Sequence, residues 1–304
     1  MMKMAAIVRV YNEMITGHAQ RFFAHWQEWG ADELFVLDDH SDDGTAEYAR
    51  KFTPHVWVRE QRYGRNREKE NTVFLLDRVN EVGAEYILFM DCDDILSRGA
   101  GQRLRDYWLP TMDKQNFSSL VFTSYNLWRK PRWRRVDSMW ACEDQFYRLW
   151  KNEGLKFDVI EDKQMHAPPA PPQVFRYWTI VPHDDITFLH YAYADLYRLR
   201  ERFLHYAHLD GKRIGMYARI IDESSLMLER VPDERFPEDL VPGPDQEEYL
   251  RTPMDDLHYL SLSVGRACWK DKPIEERTEW WECAERNKRI LESNRPGMRM
   301  LGDE

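Results

Sequence analysis

Cysteine is scarce in this 304-residue chain: Cys92, Cys142, Cys268 and Cys283 are the whole supply, and no two of them form a C-x-x-C pair. That excludes a disulfide framework and the common zinc and redox motifs, so all four are expected to be reduced thiols. Long apolar runs are missing as well. None approaches the roughly 18 residues of a membrane span, and the apolar opening Ala5–Val10 is shorter than a signal-peptide core. The expectation is a soluble, cytoplasmic protein, peripheral to a membrane at most. Basic charge is in deficit: 53 acidic residues outnumber 43 basic ones, for a formal net charge of −10. A generic nucleic-acid binder draws its affinity from neutralised phosphates, so that class is disfavoured. Internal repeats and low-complexity segments are also absent.

Core material is ample, with 43% hydrophobic and 13% aromatic residues. A chain of this length buries about three quarters of its extended surface, which suits one large domain or one domain with an appendage. Short β-rich runs alternate with helical stretches through the first part of the chain. Ala5–Val10, Leu34–Leu37, Val56–Arg59, Tyr86–Met90 and Leu120–Thr123 are the predicted strands; Gly17–Trp29, Thr45–Lys51 and Glu68–Val82 are the predicted helices. In the last helix Val73, Leu76 and Val79 are expected to form the buried stripe. This alternation specifies an α/β fold, a mostly parallel sheet flanked by helices.

The character then changes. Ser119–Trp150 is rich in tryptophan and arginine and suits an edge hairpin, and its basic run from Arg129 to Arg135 is a candidate for meeting an anionic acceptor or surface. His166–Pro172 must be extended, because each proline fixes φ and biases its predecessor away from helix. Ala194–Leu209 regains helical spacing, Val231–Asp245 reads as a proline- and acid-rich strap, and Ile274–Asn294 as a charged helix. The expected organisation is a body over 1–210, divided near residue 94, and a C-terminal helical extension over 211–304.

Two acidic segments carry the chemistry. LDDHSDDGT (Leu37–Thr45) follows a strand, where the carboxyl edge of an open α/β sheet binds ligands. Asp39 is placed to accept hydrogen bonds from a base or sugar, whereas Asp42 and Asp43 suit turn and capping roles. In YILFMDCDDIL (Tyr86–Leu96) an apolar strand runs straight into Asp91, Asp93 and Asp94. Carboxylates so close repel one another unless a cation offsets them, and hard divalent ions prefer oxygen ligands, so a metal site is expected.

The order VRVYNE (Val8–Glu13), LDDHSDDGT, RYGRNREKEN (Arg62–Asn71) and YILFMDCDD resembles the nucleotide-binding half of glycosyltransferase family 2 enzymes, with their Rossmann-like GT-A fold. The resemblance implies transfer of a sugar from a nucleoside diphosphate sugar to a saccharide or other hydroxyl acceptor, usually with inversion and with Mn2+ or Mg2+. It implies a base and ribose pocket at Tyr11, Glu13 and Asp39, an arginine near the nucleotide at Arg67, and a DxD at Asp91 and Asp93 for ribose and metal-bound diphosphate. His190, in TFLHYAY, is the expected further metal ligand, with His166 as its rival.

An inverting enzyme also needs a carboxylate that deprotonates the acceptor hydroxyl. Asp144 and Glu143 in WACEDQFYRLW, and Asp137 in RRVDSMW, are the candidates. Trp128, Trp133, Trp140, Trp150 and Tyr147 form a candidate stacking platform for the acceptor. Two other readings stay open at this point: a catalytically silent sugar-nucleotide binder or scaffold, and a haloacid dehalogenase-like phosphatase with Asp91 as nucleophile.

Overall fold

A computed structural model describes residues 3–14, 16–62, 67–128, 132–136, 145–154, 170–194 and 227–240. These fall into two compact units, the first drawn from Met1–Asn126, Cys142–Tyr191 and Val231–Pro244, the second from Leu127–Ala141, Ala192–Arg230 and Asp245–Glu304. Among the described residues no helix is long and apolar enough to cross a membrane.

The first unit is built on β1 (Met4–Val10), β2 (Glu33–Asp38), β3 (Val56–Val58) and β4 (Tyr86–Asp91). They lie in the order β3-β2-β1-β4 and are all parallel, with Ile7 opposite both Phe35 and Phe89. Sequences such as MAAIVRV and YILFMD are apolar almost throughout, which is what burial on both faces of a parallel sheet requires. Helix α1 (His18–His25) runs into a 3-10 turn, Trp26–Trp29, and packs Phe22 edge-on against Trp29 at 4.8 Å. Helices α2 (Thr45–Ala49) and α3 (Glu68–Glu81) follow β2 and β3.

The buried stripe of α3 is Asn71, Thr72, Leu75, Leu76 and Val79, not the expected set with Val73. The stripe turned because Asn71 and Thr72 bury their polar ends against hydrogen-bond partners, Asn71 on Arg59 and Asp39 and Thr72 on the Glu68 carbonyl. Leu75, Leu76 and Val79 join Ile7, Phe35, Leu37, Phe89 and Trp150 in one core cluster.

Past β4 the sheet becomes mixed. The short β5 (Asp94–Leu96) is followed by helix α4 (Ala100–Arg103), a π-helical turn and α5 (Leu109–Gln115). Strand β6 (Ser119–Trp128) and strand β8 (Gln145–Lys151) are antiparallel to each other, and β8 is antiparallel to β4, with Leu149 opposite both Leu88 and Leu120. Strand β9 (Trp178–Ile180) adds in parallel to β6, and β10 (Thr187–Tyr193) pairs antiparallel with β5. The unbroken parallel arrangement is therefore that of the first four strands, with the β6–β9 pair a further parallel contact in a mixed region.

Residues 231–240 of the expected strap are held to the body. Arg98 donates from Nε to the Phe236 carbonyl at 2.7 Å, Arg235 reaches the Asp184 carbonyl at 2.7 Å, and Phe236 is fully buried. In the second unit β7 (Trp133–Arg135) pairs antiparallel with β11 (Leu228–Arg230).

Two expectations from the tryptophan-rich segment are revised. Trp128 and Trp150 are buried, Trp128 stacked on Tyr193 at 4.8 Å beneath the Arg135 guanidinium, so neither offers a face to an acceptor. Tyr147 packs on Phe175 at 4.4 Å. Two arginines of the basic run are likewise engaged: Arg135 is buried and Arg134 pairs with Glu229 at 2.9 Å. Large aromatics and guanidinium stems removed more apolar area from water by closing the interior than by lining a surface. Trp140, Arg129, Cys142, Cys268 and Cys283 lie outside the described residues, as do the helices expected over 194–209 and 274–294 apart from Ala194; Cys92 is a buried free thiol.

Candidate functional site

Parallel strands end together, and the register sets Arg9 opposite Asp91 and Val10 opposite Asp38. The residues that follow, Tyr11 to Glu13, Asp39 to Thr45 and Cys92 to Asp94, therefore share the carboxyl edge of the sheet, where such folds bind ligands.

The first two loops lock one another. Asn12 and Asp42 exchange hydrogen bonds at 3.0 Å in each direction, the Glu13 amide donates to Thr45 Oγ1 at 2.9 Å, and the Met14 amide donates to Asp43 Oδ2 at 2.9 Å. Asp43 also accepts the Thr45 amide at 3.0 Å at the start of α2, and Gly44, at φ +87°, makes the left-handed turn before it. Asp42 and Asp43 thus have the structural roles expected of them. Glu13 is paired through Oε2 with His18 Nδ1 at 3.1 Å. The Arg62 guanidinium lies over the Tyr11 ring at 3.8 Å, whereas Arg67 forks onto Glu70.

Asp39 is almost fully buried and accepts a hydrogen bond from Asn71 Nδ2 at 3.3 Å. The Asn71 amide is oriented in turn by Arg59, whose Nε donates to Asn71 Oδ1 at 3.0 Å. Because a guanidinium only donates, the Asn71 oxygen must face Arg59 and its NH2 must face Asp39.

Asp38 is completely buried; Oδ1 accepts the Ser41 amide at 2.6 Å, while Oδ2 has no hydrogen-bond partner among the described residues. Burial pushes this carboxyl above its ordinary range, against the lowering effect of Ser41. With the folded value raised, the contribution of this group to stability is intact below the unfolded Asp value of about 3.9 and is lost as pH rises through the folded value. Asp38→Asn, which keeps an acceptor for Ser41, is expected to raise the melting temperature at pH 7 and to lose most of that gain near pH 4. Thermal denaturation at the two pH values checks this, and an equal effect at both would refute the charge as cause.

The third loop is an acidic turn. β4 ends at Asp91, the chain turns at Cys92 and Asp93, and Asp94 opens β5, whose pairing with β10 sets His190 opposite Asp94. His190 Nδ1 lies 2.6 Å from Asp94 Oδ1 and 3.6 Å from Asp93 Oδ1, and the Tyr191 amide donates to the Asp93 carbonyl at 2.8 Å. Strand β8 sends Arg148 behind the turn, with Nη1 at 2.8 Å from Asp91 Oδ2 and Nη2 at 3.2 Å from Asp94 Oδ2. Arg9 approaches the other Asp91 oxygen at 4.0 Å.

Burial alone would raise the Asp91 carboxyl, yet Arg148 and Arg9 hold it below its ordinary value. Asp94 goes the other way: burial raises it in spite of His190 and Arg148. Burial and the surrounding carboxylates of Glu13, Asp93, Asp91 and Asp43 push the Cys92 thiol well up, so it is no nucleophile.

Donor atoms of Asp93, Asp94 and His190 all lie within 4.8 Å of one another. Two carboxylates and one imidazole are a fitting set for Mn2+ or Mg2+. Of the expected ligands Asp91, Asp93 and His190, the cluster brings Asp93 and His190 together and adds Asp94, while Asp91 is paired with Arg148.

A model of Glycosyl transferase family 2 matches residues 6–161, more than half of the chain. The chain belongs to that family. No curated protein sequence matches it significantly. Among solved structures it is similar to S. aureus TarS, at 16% identity and TM-score 0.40 over 73% of this chain and 42% of that one. It is also similar to glucosyl-3-phosphoglycerate synthase from Mycobacterium tuberculosis, at 20% identity and TM-score 0.29 over 42% of this chain and 44% of that one. Mannosyltransferase PcManGT from Pyrobaculum calidifontis shares 14% identity and TM-score 0.41 over 97% of this chain and 81% of that one. This chain spans less than half the length of the first two.

Family 2 membership, with the acidic turn on the fourth strand rather than the first, removes the haloacid dehalogenase-like alternative. Asp137, Glu143, Asp144 and His166 lie outside the described residues. Arg148 and Asn71 escaped the sequence reading. The one available signal for Arg148 was its place in FYRLW: a cation inside an apolar strand needs a buried counter-charge.

Proposed function

We propose that this family 2 protein transfers a sugar from a nucleoside diphosphate sugar to an acceptor hydroxyl, with inversion and with Mn2+ or Mg2+ as cofactor. The observation that carries this reading is the convergence of Asp93, Asp94 and His190 at the carboxyl ends of the strands. A dication held there supplies positive charge to the departing diphosphate. Tyr11, Glu13 and Asp39 take the base and ribose, Asp91 serves both the ribose and the metal, and Arg67 lies near the phosphates. The acceptor hydroxyl loses its proton to Asp144, with Asp137 and Glu143 as the other assignments. In this reading 1–94 is the donor half of the body, 95–210 the acceptor half, and 211–304 an extension.

The test is a thermal-shift panel of UDP, GDP, dTDP and CMP, each with and without Mn2+. A ligand at 100 times its dissociation constant stabilises a fold by about 2.7 kcal/mol, which the assay resolves. One nucleoside diphosphate is expected to give a metal-dependent shift and so to name the donor class; no shift with any of them sinks the reading. Binding with no transfer to any acceptor would make the protein a silent sugar-nucleotide binder. With the nucleotide known, Asp39→Ala is expected to weaken its binding by about 10- to 100-fold, the worth of one or two hydrogen bonds to a charged group. Calorimetric titration measures it.

A further inference from the structure

We propose that Arg148 makes the metal centre depend on diphosphate: its guanidinium shares the acidic turn with the cation, keeping the turn weak for metal alone and strong only when an anionic nucleotide is present. This rests on the metal-centre reading above.

Arg148 is a built-in part of the site. Its side chain is 7% exposed and lies against the rings of Phe89, at 5.2 Å, and Phe188, at 5.6 Å. Its two terminal nitrogens bridge separate carboxylates, Asp91 at 2.8 Å and Asp94 at 3.2 Å, a span that suits a planar fork and not an ammonium. Asp94 is the shared group: one oxygen faces Arg148 and the other faces His190. The fixed cation therefore sits across a single carboxylate from the place a metal ion would take. In a buried setting, like charges at that separation repel strongly.

The charge balance points the same way. Asp91, Asp93 and Asp94 carry three negative charges, and Arg148 and Arg9 return two of them. A dication added alone reverses the sign of these five charges, with Glu13 and Asp43 as the further carboxylates near the turn. A nucleoside diphosphate, with two or three negative charges, restores the balance. Metal and nucleotide must then favour each other's binding, and by linkage the favour is equal in both directions.

The test is titration of the full chain with Mn2+, followed by the electron paramagnetic resonance signal of the free ion, without nucleotide and with saturating UDP, or GDP if the panel selects it. The wild type is expected to bind Mn2+ at least about tenfold more tightly when the nucleotide is present. Arg148→Met, which keeps the apolar stem but not the guanidinium, is expected to bind Mn2+ alone at least about tenfold more tightly than wild type, with the nucleotide effect reduced by the same factor. Arg148→Lys keeps the charge but its single ammonium cannot bridge both carboxylates, so its affinity for Mn2+ alone should fall between those of wild type and Arg148→Met. A purely structural role predicts the opposite sign, a loss of Mn2+ in Arg148→Met, so equal or weaker binding by that variant overturns the proposal. Wild-type affinity for Mn2+ that does not respond to nucleotide also overturns it, and decides the matter even if Arg148→Met does not fold. A wild type that binds nucleotide but no Mn2+ under any condition rejects the metal-centre reading itself, and this proposal with it.

Discussion

Asp93→Asn is expected to leave the protein folded and to lower Mn2+-dependent transfer by at least about 100-fold. Asparagine keeps the shape of the side chain, so the Tyr191 amide still finds the Asp93 carbonyl and the turn between β4 and β5 keeps its pairing. The negative charge is lost, and the cluster falls to one carboxylate, already engaged by Arg148, and one imidazole. Two readouts separate chemistry from folding. The melting temperature without ligand should move by only a few degrees, while the nucleotide-induced shift should lose its dependence on Mn2+. A variant with the wild-type metal-dependent shift would falsify the assignment of Asp93 to the metal.

Gly101→Ala is expected to be the most damaging single substitution for stability among the described glycines. A β-carbon at Gly101 would fall on the Glu28 carbonyl oxygen and within 2.5 Å of the Gly30 nitrogen and the Trp29 carbonyl carbon. These are backbone atoms of the 3-10 turn after α1, and they cannot turn aside as a side chain would. The turn is pinned further on, where Arg105 donates to the Gly30 carbonyl at 2.6 Å and pairs with Asp32 at 2.6 Å. Overpacking of this kind costs about 3 kcal/mol, equivalent to a drop of roughly 5 °C in melting temperature for a chain of this size. Gly44→Ala is the control: nothing lies within 4 Å of its added carbon, and its φ of +87° alone should cost about 1 kcal/mol. Denaturant unfolding of both variants checks the ranking, and equal losses would show that close approach at Gly101 is not the cause.

The parts of the fold that were legible are those whose reason is local. β1, β2 and β4 announce themselves as apolar runs closed by acids and turn residues, and they occur where MAAIVRV, ELFVLD and YILFMD predict them. Helix α3 was predicted over 68–82 and spans Glu68–Glu81, but its buried face was misjudged by about one position. Periodicity counts apolar residues, and two of the residues this helix buries are polar, Asn71 satisfied by Arg59 and Asp39 elsewhere in the chain and Thr72 by the Glu68 carbonyl one turn back. The tryptophans show the same limit. Trp150 looked available to a ligand until the pairing of β8 between β4 and β6 enclosed it.

For the site the division is sharper. Apolar runs that pass straight into acids put carboxylates at strand ends, and so Asp39 after β2 and the Asp91 to Asp94 turn after β4 were evident before any geometry, although β1 separates the two strands. Which of those carboxylates gather with His190 was not evident. That choice depends on β10, which sets His190 opposite Asp94, and on β8, which places Arg148 against Asp91 and Asp94. Both strands reach the turn across long stretches of chain, by sheet pairings that no local pattern encodes. The sequence by itself determined the α/β class, the strand ends and the acidic chemistry gathered there. Tertiary structure decided the partners of each charge, because an interaction in a folded interior is set by which non-local strands lie side by side.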